Sequence, residues 1–176
     1  MAFSFSNWII FKFGQWLLKE NPPRRAYLCD FQHILEEIRP GDVLLIEGRS
    51  RSSRIIQRIT LSPWTHAVLY IGQLQDIDDT VLHAKVKKLC SCTRSTQLVI
   101  ESEIGLGTII SPVTKYRMDH IRILRPRSLS HGNVQKVIGY AIGRLGSRYN
   151  IRHLLDLARF LFPWGLFPRR WKSSLF

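Results

Sequence analysis

With 176 residues, 45% of them hydrophobic, the chain has material for one buried core but not for two independent domains. Its 26 lysines and arginines against 13 acidic residues give a net charge of +13, so the surface is expected to attract anions, whether phosphate backbones, acidic lipids or an acidic partner. Three cysteines, with Cys90 and Cys92 sharing one CSC triplet, do not read as a disulfide framework and point to a reducing compartment.

The first segment, FSFSNWIIFKFGQWLL from Phe3 to Leu18, is aromatic and aliphatic but is interrupted by Lys12, Gly14 and Gln15 and is short for a bilayer span. It lacks the basic n-region and small-residue cleavage site of a secretory signal, so the chain is expected in the cytoplasm. Helical spacing sets Phe5, Trp8, Ile9, Phe13, Trp16 and Leu17 on one broad face, which predicts an amphipathic helix over residues 1–21. Such a helix can lie on the inner face of a membrane, with Trp8, Phe13 and Trp16 at headgroup depth and Lys19, Arg24 and Arg25 near anionic lipid. It can equally pack on its own domain or on another subunit. Pro22 and Pro23 end it, because neither donates a backbone hydrogen bond, and residues 22–176 are expected to form the folded domain.

A short helix is predicted from Phe31 to Ile38, followed by RPGDVLLIEG, a turn leading into a buried strand. Helical spacing then resumes, with Ile55, Ile56 and Ile59 as an apolar stripe, Arg49, Arg51, Arg54 and Arg58 as a basic side, and an end near Pro63. That basic side is either simply solvated or in contact with phosphate or lipid headgroups. In SPWTHAVLYIG, strand alternation puts His66, Val68 and Tyr70 on one face and Ala67, Leu69 and Ile71 on the other. The polar stretch from Gln73 to Thr96 reads as a long hairpin connection with room for a short helix. LVIES and TIISPV, joined by IGLG, predict a hairpin, HIRILRP a last strand, and residues 129–145 and 150–161 two helices. Strands grouped in this way between helices signal an α+β domain with an antiparallel sheet. His83, Cys90 and Cys92 lack the two ligand pairs of a zinc site, and no metal or cofactor is expected.

PGDVLLIEG, SPWTHAVLYIG, VIESEIGLGTIISPVTKY, HIRILRP and GSRYNIRHLLDLARFL, in this order over roughly Arg39 to Leu161, resemble the YiiX/YebB-like permuted papain-like cysteine hydrolases of the NlpC superfamily. Lecithin:retinol acyltransferase-type enzymes share the permuted order. The resemblance implies a permuted papain-like (NlpC-type) fold and three chemical roles: a thiolate that attacks a carbonyl, a histidine that takes its proton, and a polar group that orients the imidazole. His66 matches the histidine and Glu101 the acidic residue, with Glu103 on the same strand parity as an alternative to Glu101. Tyr149 matches a tyrosine that the family usually follows with aspartate, but Asn150 stands there instead. The family's cysteine follows the last helix, and no cysteine occurs here beyond Cys92, so the domain is expected to lack its cysteine-bearing helix and to be hydrolytically silent as given.

The expected function is therefore a cysteine-hydrolase or acyltransferase-like domain acting on amide, ester or thioester bonds of an acyl- or peptide-type substrate, at an anionic membrane surface. The alternative is a non-catalytic membrane- or partner-binding module of the same fold. Nucleic-acid binding comes third, because the aromatic and basic residues do not interleave on strands that read as exposed.

Overall fold

In a computed structural model the described residues are 29–147 other than 91 and 104, together with 19 and 22. Helix α1, Phe31–Glu37, starts at Asp30, whose carboxylate accepts from the backbone N–H groups of Gln32 and His33. Strand β1, Val43–Glu47, leads to α2, Arg51–Thr60, capped by Ser50 through the N–H of Ser53. Strand β2, His66–Gly72, is followed by a 3-10 turn, Leu74–Asp76, and by α3, Thr80–Leu89. The hairpin of β3, Leu98–Glu103, and β4, Gly107–Pro112, runs into a second 3-10 turn, Val113–Tyr116. Strand β5, His120–Leu124, and helix α4, His131–Gly143, complete the described fold.

The five strands form one antiparallel sheet in the order β4-β3-β2-β1-β5. Side chains alternate across it, so each face carries its own core. On one face Leu44, Ile46, Val68, Tyr70, Val99 and Ile121 pack with Ile38, Val113 and Tyr116, covered by Phe31, Ile34 and Leu35 at α1. On the other, Ile71, Leu98 and Ile100 pack under Val86 of α3 and Ile138 and Ile142 of α4. Fully burying each such aliphatic side chain contributes about 1.5–3 kcal/mol, and the two half-cores hold the sheet between its helices.

One polar residue ties the sheet's lower rim together. Asp42 is buried just before β1 and accepts from the N–H of Arg39 at 2.8 Å and from Nη2 of Arg125, just after β5, at 2.7 Å. The same guanidinium donates to the carbonyl of Glu37 at 2.7 Å, so the end of α1 and the start of β1 are held to the end of β5. Ladder bonds from Gly41 N–H to the Tyr70 carbonyl, and from Tyr70 N–H to the Asp42 carbonyl, extend the β1–β2 pairing to that point. Gly41 sits at φ +92, where a side chain is strained.

The Gln73–Thr96 stretch connects the antiparallel neighbours β2 and β3, as expected of a long hairpin connection, and the helix it has room for is the ten-residue α3. Asp79 caps this helix by accepting from Val81 and Leu82 N–H, and only Val86 is buried from it, so it is held by its cap and one packing face. Cys90 and Cys92, not expected to pair, are joined to each other, because the chain leaving the helix extends enough to put their Cα atoms 5.2 Å apart, within disulfide range. The helix expected over residues 1–21 and that over 150–161 lie outside the described residues.

Replacing Asp42 with alanine removes the acceptor of one buried N–H and the partner of Arg125, an expected loss of about 2–3 kcal/mol. Urea unfolding should show a lowered midpoint with an unchanged slope.

Candidate active site

His66 opens β2, and its backbone is fixed from β1. Thr65 N–H donates to the Ile46 carbonyl at 3.0 Å, while Gly48 N–H donates to Thr65 Oγ1 at 3.0 Å. A Cβ on Gly48 would stand 2.7 Å from that hydroxyl, so only glycine permits this approach. Ile46 pairs with His66 and Leu69 with Ile100, which puts His66 on the face of Val68 and Glu101 on the same face from β3. Extending the Leu69–Ile100 register would set Glu103 across from His66, but the ring reaches diagonally to Glu101, with Nε2 3.0 Å from Oε2. Glu103, the alternative partner, instead accepts from Lys115 Nζ at 2.8 Å near the surface.

Glu101 is 4% exposed and is surrounded by donors. Tyr116 hydroxyl donates to Oε2 at 2.5 Å, and Lys115 Nζ donates to Oε1 at 2.8 Å. Burial alone pushes the carboxyl pKa up, but hydrogen bonds from His66, Lys115, Ser111 and Tyr116 outweigh it and lower it to about 2. Burial, followed by the bond to Glu101, raises the Tyr116 phenol far above its ordinary range, so it stays a donor. Burial opposes the charge on Lys115, but its bonds to Glu101 and Glu103 raise its pKa. The carboxylate is thus ionised at neutral pH and held in place by its donors.

With Nε2 donating to Glu101, a neutral imidazole presents Nδ1 as its acceptor. The His66 side chain is 31% exposed, so a reacting group can reach it. The arrangement can take a proton from a nucleophile at Nδ1 and hold the resulting imidazolium against an anion. Lys115, Tyr116 and Ser111 were not foreseen as members of this site. Their signal lay in SPVTKY, where Pro112 ends β4 and a 3-10 turn swings the two side chains of TKY back beneath the carboxylate.

Cys90 and Cys92 pack with the core on the opposite face of the sheet. Cys29 packs on the His66 face, beside α1, where its thiol contacts the Asp119 carbonyl at 3.5 Å. A cavity of about 400 Å³ opens there, lined by Cys29, Asp30, Phe31, Gln32 and Arg117. Of the residues expected to meet a membrane, Lys19 is exposed, and Trp8, Phe13, Trp16, Arg24 and Arg25 lie outside the described residues, as do Tyr149 and Asn150.

The described residues thus form an antiparallel sheet flanked by helices, with a histidine and a buried carboxylate joined across neighbouring strands. The family model described as permuted papain-like amidase enzyme, YaeF/YiiX, C92 family, matches residues 37–160, and the chain belongs to that family. No curated protein matches it.

Because the folded pKa of Glu101 lies below its ordinary 4.5, its contribution to stability is fully present above about pH 4.5 and is lost as pH falls toward 2. That drop corresponds to about 3 kcal/mol at about 1.4 kcal/mol per unit. Acid unfolding followed by circular dichroism should show a steep limb in this window for the wild type, and Glu101→Gln should flatten it.

Proposed function

We propose that this chain carries the base and orienting residues of a cysteine hydrolase that cleaves amide bonds through an acyl-cysteine, with ester and thioester substrates open to the same chemistry. The observation that carries the reading is the His66–Glu101 bond at 3.0 Å, which commits Nε2 and leaves Nδ1 for a thiol. In the reaction the thiol proton passes to His66 as sulfur attacks the carbonyl carbon. His66 then returns the proton to the leaving amine, and water, deprotonated by the same nitrogen, releases the acid. Glu101 remains ionised throughout and offsets the charge on the imidazolium.

On this reading the thiol comes from a segment outside the described residues. A second reading, a non-catalytic binding module of the same fold, draws support from the pairing of Cys90 with Cys92 on the far face. For either reading a basic surface fits an anionic membrane as the place of work.

Labelling with a peptidyl chloromethyl ketone, read by mass spectrometry, separates them. A cysteine brought beside Nδ1 should be labelled, and His66→Ala should slow that labelling by about 10²–10⁴-fold. The 176-residue chain should show no rapid labelling at Cys29, Cys90 or Cys92. Rapid, His66-dependent labelling of Cys29 would instead place the nucleophile beside α1, and labelling indifferent to His66 would rule out the hydrolase reading.

A further inference from the structure

Helix α2 stands apart from both cores. Among the described residues Ile55, Ile56 and Ile59 are only half-buried, and none belongs to either hydrophobic cluster. The helix ends at Leu61, which is 91% exposed and sits in the left-handed region at φ 50. A leucine in that conformation costs about 1–2 kcal/mol relative to ordinary backbone, and at this exposure it recovers nothing from packing. Glycine is the residue that such a helix end ordinarily takes. The side chain therefore serves nothing inside the described fold.

Charge completes the surface. From Gly48 to Gln75 the sequence contains no acidic residue; of its four arginines Arg49 is paired with Asp119 at 2.7 Å, and the charge at the outer edge of the helix rests first on Arg58. Arg54 and Arg58 are exposed on the helix that carries the isoleucines. An apolar stripe ending in a bare leucine and edged by arginine matches a bilayer interface, with the aliphatic groups at the acyl boundary and the guanidinium groups among anionic headgroups.

We propose that the α2–Leu61 surface docks on an anionic phospholipid bilayer. The surface is joined to the candidate site by a short, fixed connection. Gln57 Nε2 donates to the Pro63 carbonyl at 3.1 Å, Trp64 N–H donates to Ser62 Oγ at 3.3 Å, and Thr65 is bonded to β1 immediately before His66. Docking there brings the His66 end of the sheet toward the membrane. The inference builds on the bilayer part of the proposed function and not on the hydrolase part, so its failure leaves the His66 chemistry untouched.

The test is co-sedimentation of the full chain with vesicles of phosphatidylserine and phosphatidylcholine in equal parts, against phosphatidylcholine alone. Binding is expected only to the anionic vesicles and should fall with added salt. Leu61→Gly should weaken it about 10-fold while leaving the melting temperature unchanged or raised, because glycine relieves the left-handed position. Arg58→Gln should weaken it about 5-fold. A loss of binding with a rise in stability cannot come from misfolding. Equal binding by both variants and the wild type would overturn the proposal and assign any vesicle binding to another surface, such as the N-terminal aromatic stretch. If Leu61→Gly abolished self-association in sedimentation velocity without affecting vesicles, the patch would belong to a second copy of the chain, again overturning it.

Discussion

The burial of one ionised carboxylate organises this half of the molecule. A carboxylate out of water costs several kcal/mol unless its lone pairs are filled, and Glu101 is filled from three directions at once. His66 comes from β2, while Lys115 and Tyr116 come from the 3-10 turn after β4, and Ser111 of β4 also hydrogen-bonds to the carboxylate. None of these donors is placed unless the β3–β4 hairpin is in register, the turn closes after Pro112, and β2 lies against β3. A slip of one residue in β3 would turn Glu101 to the opposite face and bury Ile100 or Ser102 among polar groups. The site thus acts as a register lock, and the geometry that orients the imidazole is inseparable from the pairing of the strands.

A second histidine–carboxylate pair shows why the contact alone does not define the site. His120 Nδ1 lies 3.0 Å from Glu47 Oε2, with the Trp64 ring 5.0 Å away, centre to centre, and tilted by 43°. These two residues are directly paired across β5 and β1, one position beyond Ile46 and Ile121, so they project from the other face. The distance matches that of His66 and Glu101, and what distinguishes Glu101 is its deeper burial together with the bonds it accepts from Tyr116 and Lys115.

Much of this was legible in the sequence because strand alternation is a strict code. HAVLYIG and LVIES announce which residues share a face, and antiparallel pairing then requires His66 and Glu101 to come close. What alternation could not decide was whether Glu101 or Glu103 would face the ring, since the two have the same parity. That choice was made by Lys115, which draws Glu103 toward the surface, and by Tyr116, which holds Glu101 inside. Neither donor could be read from a period, because a four-residue 3-10 turn has too few residues to show one. The bounds of helix α3 were not legible for a related reason: its Asp79 cap is visible in DIDD, but a single buried valine leaves almost no apolar stripe.

The orientation of the imidazole has a consequence for any nucleophile. Glu101 fixes Nε2, so the productive approach is to Nδ1, from the part of His66 that remains open to solvent. A thiol at the start of a helix docked there would gain twice, since the helix dipole and the adjacent imidazole both favour the thiolate. Cys90 and Cys92 cannot supply it, being bonded together beneath the other face. Cys29 shares the correct face, but its thiol is turned to the Asp119 carbonyl. On the proposed reading the sheet offers an imidazole whose Nε2 is engaged by Glu101, and the chemistry open to it depends on which thiol is brought to Nδ1.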